Sequence, residues 1–170
     1  MRKFLSFRSR HLHDRTLKPS SNAVASSPSD GGKPHREDAL YEYEYLPEGY
    51  IRILELLPGA LEDPLRCKLV PVKLSEAPNY AAISYVWGDN SVTDVLHIGD
   101  KILRITLNLR DALTRLRFQH RPLSLWADAV CINQRNLAEK THQVQIMGLI
   151  YYRASLVNVW LGNLSTDEQT

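Results

Sequence analysis

Three apolar runs in this chain each close on a small polar cluster, and those clusters are where chemistry would gather. YAAISYVW at 80–87 closes on Gly88, Asp89 and Asn90; LWADAVCI at 125–132 closes on Asn133 and Gln134; LVNVWL at 156–161 closes on Gly162 and Asn163. If the runs are neighbouring parallel strands, their carboxyl ends bring Trp87, Gly88, Asp89, Asn133 and Gln134 to one edge. Open α/β sheets bind ligands in the crevice outside that edge, and this set suits a ligand with hydroxyls or phosphates. Asp, Asn and Gly are equally the residues that turns require, so turn chemistry alone also accounts for the clusters. Asp128 is the sharper feature. It stands mid-run between Trp126, Ala127, Ala129 and Val130, where a carboxylate must be hydrogen-bonded, paired or neutralised. Ser84, Arg121, Arg135 and the loop after Gln134 are candidate partners, in a structural network or at a functional site.

Glu139 lies three residues after Asn136, the spacing of a capping box with Asn as the cap. An acid in the first helical turn also suits the helix dipole, so capping rather than catalysis is the expected role. Cys131 is the one thiol near the expected edge. With no histidine close to it in sequence, it reads as a small buried hydrophobe rather than a nucleophile. No GxGxxG, GxxxxGK or GxSxG occurs, which removes the dinucleotide fingerprint, the phosphate loop and the hydrolase elbow. His11, His13, His35, His97, His120 and His142 form no HExxH and no Cys/His set at zinc spacing, so no metal is expected.

These residues need elements to hold them. Strands buried on both faces read as near-continuous apolar runs, and such strands are usually parallel and covered by helices. Asn108 is expected to cap a helix whose face is Leu109, Ala112, Leu113 and Leu116, and a second helix carries Leu137, Val144, Met147, Tyr151 and Ala154. Strand, helix, strand, helix, strand with short links predicts an α/β fold with right-handed crossovers. Val95–Ile98 and Ile102–Ile105 flank Gly99–Asp100 as a hairpin inserted after the first run. Upstream, Tyr41, Tyr43 and Tyr45 alternate with Glu42 and Glu44 before a strand over Tyr50–Leu56. The alternation through Leu65, Cys67 and Leu69 changes phase at Pro71, which predicts a bulge or an edge strand in a β-hairpin lead-in.

Composition bounds the function. At 44% hydrophobic and 24% charged the chain can build a packed core. Residues 1–40 hold eight Lys/Arg against four Asp/Glu, a net +4, whereas the other 130 hold thirteen against fifteen, a net −2. A body of that balance has no electrostatic footprint for nucleic acid. No apolar run approaches the length of a membrane span, and Cys67 and Cys131 without a CxxC pair fit a reducing, cytoplasmic setting. The Ser-, Pro- and Gly-rich stretch 1–40 reads as a disordered basic tail, with mitochondrial targeting by its basic, acid-poor first eighteen residues as the lesser reading. The expected organisation is therefore tail 1–40, hairpin lead-in 41–79 and main domain 80–170.

Together these segments resemble the heterokaryon incompatibility (HET) domain of filamentous fungi. YAAISYVWGD at Tyr80–Asp89, LWADAVCINQ at Leu125–Gln134 and EKTHQVQIMGLIYYRASLVNVWLG at Glu139–Gly162 carry the resemblance, in the expected order. IRILELLPG at Ile51–Gly59 and APNY at Ala77–Tyr80 resemble its usual approach, and the family commonly has Ile where Ala127 and Val130 stand. The resemblance implies a Toll/interleukin-1 receptor (TIR)-like, flavodoxin-like sheet with Tyr80–Val86, Leu125–Ile132 and Val157–Leu161 as its first three strands. It implies nonself recognition in which allelic mismatch after cell fusion triggers programmed cell death, through protein partners or self-association. Some TIR domains hydrolyse NAD with a glutamate on the helix after the third strand. That position falls after Gly162, where Glu168 is too close to the end to serve. An NAD-consuming hydrolase is accordingly the alternative reading, with NAD a cofactor only under it, and an inactive remnant is a third. On the same comparison the C-terminal part of the domain is missing, leaving the third strand as an exposed apolar edge.

Overall fold

The computed structural model describes residues 4–8, 39–89, 91 and 93–162. Its eight strands form one sheet: β1 (Phe4–Arg8), β2 (Tyr50–Leu56), β3 (Arg66–Lys73), β4 (Ala81–Tyr85), β5 (Thr93–Ile98), β6 (Lys101–Thr106), β7 (Leu123–Trp126) and β8 (Leu156–Trp160). The spatial order is β1-β8-β4-β7-β2-β3-β5-β6. At its centre β8, β4 and β7 are parallel, as a strand–helix–strand alternation requires, and antiparallel partners flank them. The α/β reading holds, in a mixed sheet.

The helices are α1 (Leu107–Leu116), α2 (Asp128–Cys131) and α3 (Leu137–Arg153). Helix α1 buries the expected Leu109, Ala112 and Leu113. Its cap is Thr106, which accepts the Leu109 N–H at 3.3 Å, not Asn108, which sits inside the first turn. Asn136 does cap α3, accepting the Glu139 N–H at 3.1 Å. The buried side of α3 runs through Gln143 and Ile150, with Ile146, Met147 and Tyr151 packed beside them, so the expected Leu137 and Val144 face outward. Two tyrosine hydroxyls fix α3 over the centre of the sheet: Tyr80 donates to the Ile150 carbonyl at 2.6 Å and Tyr151 to that of Ile83 at 3.0 Å.

Three expectations need correction. The run LWADAVCI is not one strand: β7 ends at Trp126 and Asp128 opens the short helix α2. The hairpin β2–β3 pairs one to one through Arg52↔Pro71, so Pro71 marks no bulge. It lies where β3 has β2 on one side only, since β5 pairs β3 just at Arg66 and Cys67, and there a missing N–H is tolerated. The third parallel strand, β8, is not a bare edge either. Phe4–Arg8, within the expected tail, forms β1 and pairs with β8 antiparallel.

The core runs from Ile51, Ile53, Leu54 and Leu56 of β2 through Ala82 and Ile83 of β4 to Leu125, Trp126 and Ile150. One ion pair is buried with it. Arg52 on β2 meets Glu139 on α3 through two contacts, Nη1–Oε1 at 2.5 Å and Nη2–Oε2 at 3.1 Å, with side chains 4% and 7% exposed. Removing one member of a buried pair strands the other. Glu139→Gln should therefore lower the unfolding free energy by about 3 kcal/mol or more. The double variant Arg52→Met/Glu139→Gln should lose clearly less than the two single losses combined, read by urea denaturation.

Candidate functional site

The chain runs from β4 out to the β5–β6 hairpin, back through α1 to β7 beside β4, and then by α3 to β8 on the other side of β4. The strand order thus reverses at β4, and the edge beyond the carboxyl ends of β4, β7 and β8 is the switch point at which open sheets bind.

Of the expected residues, Trp87, Asp128 and Gln134 come together there. The Trp87 indole Nε1–H donates to Asp128 Oδ2 at 3.1 Å, Asp128 Oδ1 accepts the Ala129 N–H at 2.8 Å, and Gln134 Nε2 donates to the Asp128 carbonyl at 2.9 Å. The Tyr85 hydroxyl is held above its ordinary range, first by burial and then by the Asp128 charge. The Asp128 carboxylate is thus held by the Trp87 indole just after β4 and by the Ala129 N–H, and not by Ser84, Arg121 or Arg135.

Gly88 has φ +71°, a conformation an L side chain rarely adopts. Asp89 turns into its own loop, accepting the Ser91 N–H at 2.8 Å, and its bonds to Ser91 hold its carboxyl below the usual value. Asn133 belongs to a different cluster: its N–H donates to Glu139 Oε1 at 2.7 Å, and its Oδ1 accepts the Arg135 N–H at 3.2 Å. Asn90 and Asn163 lie outside the described residues.

Sequence reasoning missed Asn108. Freed from capping, its amide donates to the Val86 carbonyl after β4, and its Oδ1 accepts the Trp160 indole N–H at 2.7 Å at the end of β8. It ties two of the three strand ends together, and a Cβ on Gly88 would stand 3.5 Å from its own. Thr106, two residues earlier, was the signal: a second cap-competent residue releases Asn108 for other work. Around this network Val86 is 72% exposed and Leu161 59%, with Trp87 and Leu107 partly exposed. Two pockets lie elsewhere, one of about 220 Å³ beside Glu48, His142 and Gln143 and one of about 420 Å³ beside Asp63, Asp94 and Arg110. Among the described residues no group of three or more His, Cys, Asp and Glu gathers as a metal site, and no helix is long and apolar enough to cross a membrane.

Cys131 is the last residue of α2, buried, with the Ala127 N–H donating to its Sγ at 3.4 Å. Burial pushes its thiol and that of Cys67 up to about 12 from an ordinary 9.0.

Asn108→Ala should cost about 1–3 kcal/mol, because the buried Trp160 N–H and the Val86 carbonyl lose their partner; urea denaturation followed by tryptophan fluorescence reads this. The thiols predict a pH effect of definite sign. Above pH 9 the unfolded chain has released thiol protons that the native state keeps, so stability falls as pH rises from about 9 toward 12. The slope is at most about 1.4 kcal/mol per pH unit per thiol, and Cys131→Ala should flatten it in denaturation curves taken across that range.

The family model for the heterokaryon incompatibility protein (HET) matches residues 80–170. Heterokaryon incompatibility protein 6, OR allele, of Neurospora crassa is 38% identical over 146 residues, covering 75% of this chain and 22% of that protein. The chain therefore matches about a fifth of that relative's length. No solved structure matches the chain. With more than half its residues under the family model, the chain belongs to the heterokaryon incompatibility (HET) family.

Proposed function

We propose that this domain serves nonself recognition in the fungal cytoplasm, where it triggers programmed cell death of an incompatible fused compartment through protein contacts. One observation carries the reading. At the switch-point edge the Asp128 carboxylate and the Asn108 amide are already bonded to neighbouring side chains and backbone, while Val86, Trp87, Leu107 and Leu161 stand exposed around them. A small-molecule site needs polar groups turned toward the ligand, whereas a protein contact needs apolar side chains on a rigid backing. The alternative, an NAD-consuming hydrolase, needs a free carboxylate at this edge. Asp128 is held by Trp87 and the Ala129 N–H, and Asp89 by Ser91.

Expression in Neurospora hyphae with vital-dye counting tests the choice. Val86→Glu/Leu161→Glu should cut death about tenfold, the effect of losing roughly 1.4 kcal/mol of contact energy. Leu61→Glu, at a residue 63% exposed on another surface, should leave it unchanged. If the double variant kills undiminished while Asp128→Asn abolishes killing at unchanged melting temperature, the ligand reading replaces this one.

A further inference from the structure

Within residues 39–162, β8 has one partner, β4. Its outer edge is covered by β1, which reaches it across residues 9–38 and pairs over five positions with Ser6 opposite Asn158. A strand edge is a row of unpaired N–H and C=O groups that any strand of matching pattern can extend. What distinguishes this edge is the pattern of its occupant.

Strand β8 reads Leu-Val-Asn-Val-Trp, apolar on both sides of the central Asn158. Facing Trp160, Val159, Asn158, Val157 and Leu156, β1 places Phe4, Leu5, Ser6, Phe7 and Arg8 in turn. A second β8 set antiparallel about Asn158 would place Leu156, Val157, Asn158, Val159 and Trp160 against the same five positions. Four of the five then carry the same class of residue as β1 does: apolar, apolar, small polar, apolar. At the fifth, a tryptophan replaces Arg8. The edge is therefore self-complementary about a two-fold axis through Asn158, which is what an isologous contact between identical chains requires.

We propose that the outer edge of β8 is a strand-docking surface, closed in cis by Phe4–Arg8 and taken by the β8 edge of a second copy of this chain when that segment is withdrawn. A strand carried on the same chain competes intramolecularly, at an effective concentration above that of a micromolar second copy. At micromolar protein the cis strand therefore excludes the trans one. Detaching β1 hands the edge to the second copy. An N-terminal event, whether cleavage, modification or capture of residues 1–8 by another protein, thereby sets the assembly state.

The full chain with Leu5→Pro/Ser6→Pro tests this. Successive N–H groups of a strand point to opposite sides, so one of the two prolines removes a donor facing β8 whatever the phase. The body of the sheet is untouched. Light scattering after size exclusion should show self-association tightened about tenfold or more over the parent. Amide exchange should show residues 156–160 protected in the dimer, and a peptide of residues 1–10 should return the variant to monomer. A variant that stays monomeric, or that dimerises while 156–160 exchange freely, overturns the proposal. So does a precipitate that the peptide does not dissolve. Self-association of the purified chain is read without any cell-death assay, so failure here leaves the signalling role standing.

Discussion

The ion pair between Arg52 and Glu139 is the constraint from which the rest of the arrangement follows. Two charges buried in a core are tolerable only if nearly every donor and acceptor finds a partner. Here the guanidinium meets both carboxylate oxygens, donates to the Cys131 and Glu44 carbonyls, and sits 4.9 Å from the centre of the Tyr43 ring. The carboxylate takes the Asn133 N–H as well. One contact thus gathers the extended lead-in, strand β2, the end of α2, the turn after it and the first turn of α3. Apolar replacements of similar volume could match its stability. They would not dictate direction: a bidentate pair fixes where α3 begins relative to β2, and hence where β8 must start.

That fixed start has consequences for the sheet. Strand β2 lies between β3 and β7, so the hairpin ahead of residue 80 covers the flank of the parallel strands that the family model spans. With β2 and α3 locked together, Tyr80 and Tyr151 anchor α3 to β4. The chain then leaves α3 through Ser155, whose N–H and hydroxyl both donate to the Tyr80 carbonyl at 2.9 and 2.8 Å. Placement of β8 beside β4 is therefore set by polar contacts at the amino end of the pair. The strand ends that form the candidate edge inherit their positions from contacts made at the opposite end of the sheet.

How much of this is legible in the sequence depends on whether the signal is local. The β5–β6 hairpin around Gly99–Asp100, the α1 face and the Asn136 cap all rest on neighbours within a few residues, and each is found where periodicity and turn chemistry place it. Tertiary pairing is what escapes. Arg52 looks like the exposed member of an alternating strand until a carboxylate from 87 positions away is folded against it. Glu139 carries a capping signature that is correct for its N–H and silent about its carboxylate. The run LWADAVCI is apolar on every side because both a buried strand and a buried short helix require that, and periodicity over eight residues cannot separate them. At the site, Trp87 and Asp128 were legible as residues but not as a pair, and Asn108 was hidden by its aptness for a cap.

The exposed apolar side chains at the switch-point edge follow from the same geometry. Val86 cannot turn inward, because its carbonyl is taken by Asn108 and the next residue is tied through its indole to Asp128. Leu161 follows the buried Trp160, whose own indole ends on Asn108. Each exposed residue therefore adjoins one held by a side-chain hydrogen bond, and relaxation that would bury it must break that bond. The polar network beneath the patch fixes its backbone, and under the proposed protein-contact reading such rigidity lowers the ordering cost of binding.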